Sequence, residues 1–292
     1  MKVVEQSVEL LSQKDLFQHI ELAARTCYKS EDKITADSAR KMVGGLINSG
    51  HYAMLEHGTV YLQLKIGSPL DDEDWMEKTD VLNRYGRNPY SIVRTISGTY
   101  TEVFITTNYR VIIENGWLRD MQYQTTLTDQ HIGRYTVRVI TNLQVSHELV
   151  RHRIGFSYAM ESSRYCNYSK DKFGNELTFI NPVWFPQIHM DSEELYDIDT
   201  WYGAMLAIEK AYFSLLDYGW TAEKAAQVLP KALKTELVIT ADEYAWNRWF
   251  GLRYWEKTGK VHPQMKELSC LIFNTLDGYV RLPEVLRDLR RS

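Results

Sequence analysis

The chain has 292 residues, of which 44% are hydrophobic and 25% charged. This composition is typical of a globular protein and excludes the collagen-like, low-complexity and wholly disordered classes. Because 34 Lys and Arg oppose 38 Asp and Glu, we expect no broad nucleic-acid-binding surface. The three cysteines, Cys27, Cys166 and Cys270, form no CxxC pair. With no signal peptide and no apolar run long enough to span a membrane, this cysteine usage predicts a soluble, cytoplasmic protein.

The N-terminal 66 residues predict two strands with two helices between them. Asp15 is a candidate N-cap, and Gly50 is a candidate helix stop. Alternating apolar residues predict half-buried strands. The expected elements are a strand over 3–11, a helix from Asp15 to about 28, a helix from 35 or 37 to Gly50, and a strand over 58–66.

Residues 67–133 show no steady periodicity. The segment carries an acidic patch over 71–74, which predicts a solvated turn or helix start, and a strand is expected around 103–113. No Gly/Ser linker or internal repeat marks a domain boundary. We therefore predict a single domain over 1–292, with 67–133 as an elaboration inserted between two core elements.

The C-terminal half predicts strands followed by helices. Strands are expected over 134–145, 176–184 and 235–240. Four helices are expected: one over 192–218, a short one that ends at about 229, a Trp-rich one that ends at about 254, and a last one that begins after Pro263. Strands early in the chain and helices late indicate an α+β fold. We expect a mixed or antiparallel sheet flanked by helices, with a helical C-terminal third.

A basic and hydroxyl-rich block at 147–170 carries the strongest chemical signal. Guanidinium groups, hydroxyls and backbone N–H groups are what anionic phosphates require; they are supplied here by Arg151, His152, Arg153, Ser157, Ser162, Ser163 and Arg164. On a helix, Arg151 and Arg153 project about 200° apart. If both bind one ligand, the chain must leave helical geometry near residue 151. The alternative is a solvated basic turn beside a structural Ser/Arg network.

Three further features bear on function. His51, Glu56 and His57, with His152 as a fourth candidate, formally offer metal ligands. No HExxH motif or cysteine pair supports a metal site, so we expect a structural Glu–His network and no metal. Arg253 follows Trp246, Trp249 and Phe250, where it either reaches a ligand or satisfies helix-end carbonyls. Cys166 beside the basic block is the candidate for a competing nucleophile of lowered pKa, but we expect that none of the three cysteines acts as the nucleophile.

The block resembles the signature of flavin-dependent thymidylate synthases. Arg151-His152-Arg153, eight residues and then Ser162 match the family's RHR…Ser pattern. AARTCY (23–28), the 51–57 segment, RYCNYSKDKFGNELTFI (164–180), VLP (228–230), Leu252-Arg253 and the later HPQ (262–264) follow in the family's order. The resemblance covers about residues 15–275.

This resemblance implies a thymidylate synthase complementing-protein-like fold and a homotetramer with active sites between subunits. It implies FAD-dependent reductive methylation of dUMP to dTMP, with methylenetetrahydrofolate as carbon donor and NADPH as reductant. Carried over by position, the flavin contacts are His51, Glu56, Arg151, His152 and Arg153. The dUMP contacts are Glu148, Arg151, Ser162, Ser163, Arg164 and Arg253, with Arg253 also orienting the ionised pyrimidine.

The chain departs from the family's pattern at Ala53, Met160, Ala226, Asp242 and Tyr244. These substitutions bear on individual flavin or phosphate contacts, for which a residue of the insertion could compensate. Two alternatives stay open: a catalytically degenerate relative that binds nucleotide or flavin without methyl transfer, and a phosphate-specific RNA-binding module, which predicts steeply salt-dependent binding and no flavin.

Overall fold

The computed structural model describes residues 1–185 and 192–283. Its strands are β1 (Lys2–Val4), β2 (Ser7–Leu11), β3 (Thr59–Ile66), β4 (Ile92–Ser97), β5 (Thr101–Asn108), β6 (Gln124–Thr125), β7 (Arg134–Asn142), β8 (Phe156–Met160), β9 (Thr178–Ile180) and β10 (Lys234–Asp242). Its helices are α1 (Leu16–Thr26), α2 (Ser38–Asn48), α3 (Trp75–Arg87), α4 (Tyr109–Glu114), α5 (Leu143–Leu149), α6 (Ser192–Asp217), α7 (Ala222–Ala225), α8 (Glu243–Arg253) and α9 (Pro263–Leu276). Among the described residues, no helix combines the length and apolar character that crossing a membrane requires.

An antiparallel sheet in the order β2-β7-β10-β8 forms the centre of the fold. Successive side chains of a strand point to opposite faces of a sheet. One face of β7 and β10 therefore collects Val137, Val139, Leu237 and Ile239, which pack with the aromatic face of α8 and with α9 in the main core. This confirms the predicted α+β class, the β7 and β10 strands and the late helices.

A second antiparallel sheet, β4-β5-β3-β6, contradicts the irregular structure expected for 67–133. The segment also contains α3, which covers this sheet through Val81 and Tyr85. The strand around Val103 was expected, but its neighbours β4 and β6 were not, because β4 is exposed over its last four residues and β6 has only two residues, so neither shows the alternation of a half-buried strand. The strand expected over 103–113 ends at Asn108, whose side chain accepts from the Val111 amide (3.2 Å) and starts α4.

Other boundaries differ for local reasons. The strand expected over 3–11 is two strands, because β1 pairs in parallel with β9 while β2 pairs with β7. The strand expected over 176–184 is limited to β9. The Asp15 N-cap is confirmed, since its carboxylate accepts from the amides of Phe17 and Gln18. Gly50 has φ +71°, as a helix stop requires.

A buried polar chain ties α1 and the turn over Tyr52–His57 to the central sheet. His19 Nε2 lies 2.9 Å from Thr136 Oγ1, which lies 2.7 Å from Thr240 Oγ1, which lies 2.9 Å from His57 Nδ1. Two hydroxyl protons serve three hydrogen bonds, so one imidazole donates and the other accepts. Burial lowers the pKa of His19 to about 4 and that of His57 to about 3, and the charge of Arg134 acts in the same direction on both.

These two histidines predict a loss of stability in acid. Well above pH 6.5 both histidines are neutral in the folded and in the unfolded chain, so they do not lower the free energy of unfolding. As the pH falls from about 6.5 towards 4, the two histidines become protonated in the unfolded chain but stay neutral in the folded chain, so the free energy of unfolding decreases. Urea unfolding at pH 8, 6 and 5 measures the slope. His57→Gln should reduce it, exposed His147→Gln should not, and an unchanged midpoint between pH 7 and 5 would contradict the expectation.

Candidate functional site

The basic loop over 150–155 joins α5 to β8. The helix ends at Leu149, so the chain leaves helical geometry where binding by both arginines requires it. The Tyr158 hydroxyl lies 2.7 Å from the Leu149 carbonyl oxygen and 2.8 Å from that of His152, which folds the loop back on β8. Gly155 has φ +81°, and a Cβ there would come within 2.8 Å of Ala245 Cβ and Asp242 Oδ2. The loop conformation is therefore fixed by a position that only glycine fills.

On one side of this loop lies a group that we call the Arg253 cluster: Glu148, His152 and Arg253. Arg253 Nε donates to His152 Nε2 at 3.0 Å, and Arg253 Nη1 lies 3.6 Å from Glu148 Oε2. Burial, together with the charges of Arg253 and Arg248, lowers the pKa of His152 to about 4. The imidazole is therefore neutral, accepts through Nε2, and carries its proton on Nδ1. The His152 ring forms edge-to-face contacts with Trp249 and Phe156, with ring centroids 6.4 and 6.3 Å apart.

On the other side lies a cavity of about 700 Å³, which we call the arginine cavity. It lies between the two four-stranded sheets, with walls from the turn over Tyr52–His57, α4, β7, the basic loop and α8. Its charged lining is Glu56, Arg110, Glu114, Arg134, Arg153, Asp242 and Arg248, joined by Tyr90 and Tyr244 among others. Four cations against three carboxylates, with two tyrosines, suit an anionic ligand that carries a planar ring.

Glu56 is the most constrained acid in the arginine cavity. Its Oε1 accepts from Arg110 Nη1 at 2.5 Å, and its Oε2 accepts from Ser157 Oγ at 2.9 Å. Arg110 also pairs with Glu114 at 2.9 Å. Both Glu56 oxygens are thus engaged, so its charge is held by α4 and β8 together.

The segment Ser162–Arg164 lies at the opposite end of β8. The Ser162 amide donates to the Cys27 carbonyl oxygen at 3.1 Å. Arg164 is exposed and pairs with Glu223 at 2.9 Å, while its guanidinium lies 5.4 Å from the Tyr165 ring centroid. The five residues of β8 separate Gly155 from Glu161, which makes six steps of extended chain, a span of roughly 20 Å. Within one chain, therefore, the structure does not bring this segment to Arg153.

A sequence model of the thymidylate synthase complementing protein family matches residues 115–277, which includes the basic loop, the Ser162–Arg164 segment and Arg253. The chain belongs to this family. The matched range does not include Glu56 and Arg110, which lie beside Arg153 in the arginine cavity.

Relatives of this chain in several organisms are named flavin-dependent thymidylate synthase. The flavin-dependent thymidylate synthase of Geobacter sulfurreducens is 36% identical over 143 residues, 49% of this chain and 55% of that protein. The enzyme of the same name from Pyrococcus abyssi is 34% identical over 112 residues, 38% of this chain and 42% of that protein. The chain thus spans about half the length of these relatives. A structure of the UMP/dUMP methylase PolB from Streptomyces cacaoi, bound with 5-Br dUMP, aligns with 16% identity and a TM-score of 0.45, covering 95% of this chain and 93% of that one.

Besides the Ser162–Arg164 segment, two further expected site residues, His51 and Arg151, belong neither to the Arg253 cluster nor to the arginine cavity. His51 is exposed at the start of the Tyr52–His57 turn and does not line the arginine cavity. Arg151 is exposed and has no side-chain partner among residues 1–185 and 192–283. His57 is buried against Thr240, so the formal His51–Glu56–His57 ligand set does not converge, and the described part of the chain holds no metal-ligating group of three or more.

The structure contradicts the idea of a reactive Cys166. The thiol is 1% exposed, and burial, followed by the charge of Glu161, raises its pKa to about 12. A thiol that stays protonated at neutral pH is a poor nucleophile. The basic block therefore does not activate this cysteine.

The departures from the family's pattern fall in two groups. Ala53 is exposed, Met160 packs beside the main core, and Ala226 begins the turn over Ala226–Val228. Asp242 and Tyr244, in contrast, line the arginine cavity, and the Asp242 carboxylate also caps α8 through the Ala245 amide at 2.8 Å.

Three of the four arginines of the arginine cavity were absent from the sequence prediction: Arg110, Arg134 and Arg248. Arg248 could have been found, because Tyr244 and Arg248 are four residues apart and share one face of α8. No periodicity marks Arg110 or Arg134. Each lies inside a predicted strand and outside the basic block.

Proposed function

We propose that this protein is a thymidylate synthase that methylates dUMP to dTMP. In this proposal FAD is the bound cofactor, methylenetetrahydrofolate supplies the carbon and NADPH the reducing equivalents. The observation that carries it is the position of the RHR loop, where His152 joins Glu148 and Arg253 on one side and Arg153 enters the arginine cavity on the other. A cytoplasmic location and one synthase domain over 1–292 belong to the same proposal.

The residues of the arginine cavity fit a flavin dinucleotide. Arg153 and Arg248 have no carboxylate within ion-pair distance among the described residues, so both can face a diphosphate. Tyr90 and Tyr244 are exposed aromatic faces on the same cavity. The flavin, when bound, supplies hydride chemistry. The protein's part is to hold the phosphates with arginine and to fix Glu56 beside the ligand.

The Arg253 cluster suits the pyrimidine. A guanidinium beside the uracil N3–C4 edge favours the ionised, electron-rich ring whose C5 attacks a methylene carbon. Neutral His152 accepts a hydrogen bond from Arg253 Nε, so the two Nη groups of Arg253 remain for Glu148 and the substrate. The side chain of Arg253 is 22% exposed, so its charge is partly shielded from water, which strengthens such an interaction.

The separation of Ser162–Arg164 from Arg153 supports an active site shared between subunits. If the hydroxyls and Arg164 hold the dUMP phosphate while Arg153 and Arg253 hold flavin and pyrimidine, the two ends of β8 must serve different sites. Each site then takes its phosphate-binding segment from another copy of the chain. This arrangement requires an oligomer, and the homotetramer implied by the family resemblance supplies one.

The test is to purify the protein, record its absorption spectrum and assay dTMP formation from dUMP with methylenetetrahydrofolate and NADPH. Bound flavin and dTMP formation are the expected results. The second candidate is a catalytically degenerate relative, which Asp242 and Tyr244 favour because both depart from the family's pattern and line the cavity. Such a protein would bind dUMP and form no dTMP. A protein that binds neither flavin nor dUMP would contradict both.

Arg164→Ala should weaken dUMP binding while leaving the fold and bound flavin intact. A charge-assisted hydrogen bond to the phosphate contributes about 1.5–3 kcal/mol, which corresponds to roughly 10- to 150-fold in affinity. Isothermal titration with dUMP measures the change, and Lys172→Ala serves as a nearby basic control. Wild-type dUMP affinity in the soluble Arg164 variant would remove this residue from the site.

A further inference from the structure

Arg134, the first residue of β7, connects the two four-stranded sheets. Its backbone amide donates to the Tyr61 hydroxyl at 3.0 Å. Its Nη2 donates to the Glu56 carbonyl oxygen at 2.9 Å, and its Nε approaches Thr59 Oγ1 at 3.4 Å. Both side-chain acceptors are neutral oxygens.

The guanidinium of Arg134 lacks a countercharge. Among residues 1–185 and 192–283, no carboxylate lies within the 4.0 Å of an ion pair, and Asp242 and Glu56 act on the guanidinium only from farther away. Burial is the largest influence on Arg134 and lowers its pKa. Arg138, four residues along β7, shows the ordinary arrangement, with ion pairs to Glu9 at 3.0 Å and Glu236 at 3.2 Å. Arg134 is half-buried. Charges that are partly removed from water are normally paired, and Nη1 of Arg134 has no partner in the described chain.

The acids of the arginine cavity are already engaged. Glu56 and Glu114 pair with Arg110, and Asp242 accepts from the Ala245 amide. Arg248 donates to the Ile154 carbonyl oxygen at 2.6 Å, a neutral acceptor. Three cavity arginines, Arg134, Arg153 and Arg248, therefore have no paired carboxylate among the described residues.

A second cavity, of about 740 Å³, also borders Arg134. It is lined by residues 10–17 and 124–127, with Arg40 and Lys14 as further cations. Asp15 in this lining caps α1. This second cavity brings together two guanidinium groups without an ion pair in the described part of the chain, those of Arg134 and Arg40, whereas the arginine cavity brings together three, those of Arg134, Arg153 and Arg248.

We infer that Arg134 is the innermost anion-binding residue of the arginine cavity and that its countercharge is a phosphate group of the bound ligand. A guanidinium presents five donors in a planar fork that matches phosphate oxygens. Arg134 uses Nε and one Nη2 hydrogen on neutral oxygens, which leaves donors for the ligand. This inference rests on the proposed function for the ligand's identity, a phosphate-bearing flavin.

Phosphate binding can be separated from a purely structural role by comparing three flavins. Riboflavin has no phosphate, FMN has one and FAD has two, while all share the isoalloxazine ring. The affinities of the flavin-free full-length protein for each are measured by fluorescence quenching. Wild type should prefer FMN and FAD to riboflavin by at least about tenfold. Arg134→Gln should reduce this preference by about tenfold, because one charge-assisted contact is lost, with riboflavin affinity little changed.

Arg138→Gln is the matched control, since it removes an arginine from the same strand outside the cavity, and it should keep the wild-type preference. Arg134→Lys keeps the charge without the fork and should keep part of the preference; it also replaces the glutamine variant if that variant does not fold. A structural role predicts equal losses for all three flavins, which would overturn the inference. A wild-type protein that binds riboflavin and FMN equally would overturn it without any variant. Failure of the proposed function is a different result: no flavin binds the wild type at all, and the phosphate contact proposed here falls with it.

Discussion

Replacing Arg253 with alanine is expected to lower the rate of dTMP formation by about 10²- to 10³-fold. The positive charge stabilises the ionised pyrimidine, and this stabilisation grows towards the transition state, so its loss reduces kcat more than dUMP affinity. Removal of one such electrostatic partner costs about 2.7–4 kcal/mol in the barrier. The measurement is dTMP formation at saturating dUMP, with NADPH-dependent flavin reduction followed in the same preparation.

Two variants sharpen this test. Arg253→Lys should recover only part of the rate, because an ammonium group does not reproduce the planar fork that contacts His152 and Glu148 together. His152→Gln keeps an acceptor near Arg253 Nε and should reduce the rate less than Arg253→Ala does. If Arg253→Ala reduces its flavin and forms dTMP at the parent rate, Arg253 serves only to end α8.

Trp249→Ala should cost about 3–5 kcal/mol of unfolding free energy, the range for removing a buried tryptophan side chain. Trp249 is 1% exposed in the main core and contacts Trp246 and Phe250 edge-on. It also holds the edge of His152, so the orientation of the Arg253 cluster should loosen in the same variant. Urea unfolding measures the stability.

The control is Trp220→Ala, at a position 45% exposed, where the change should be below about 1 kcal/mol. Trp249→Phe retains most of the apolar contact and should lose less than the alanine variant. Equal midpoints for the Trp249 and Trp220 alanine variants would show that α8 does not support the core as the structure indicates.

Local sequence determined the elements whose pattern depends on one buried face. Alternation located β3 and β7, the Asp15 carboxylate located the start of α1, and the RHR…Ser spacing identified the family. Arg253 was placed at the end of α8 by the helical spacing of Trp246 and Trp249. In each case the deciding interaction lies within a few residues along the chain, so the sequence contains it.

Tertiary structure alone decided the arginine cavity and the division of the site. A strand was expected where β5 lies, but its pairing with β3 and β4 was not, and Arg110 lies in α4, where the expected strand was continued too far. Arg134 meets Glu56 and Arg153 only because two sheets pack together, and such long-range contacts leave no periodic signal. The strand β8 separates Arg153 from Ser162 by its own extended length. A motif that is continuous in sequence therefore becomes two separate surfaces in space, since an extended chain places its two ends far apart.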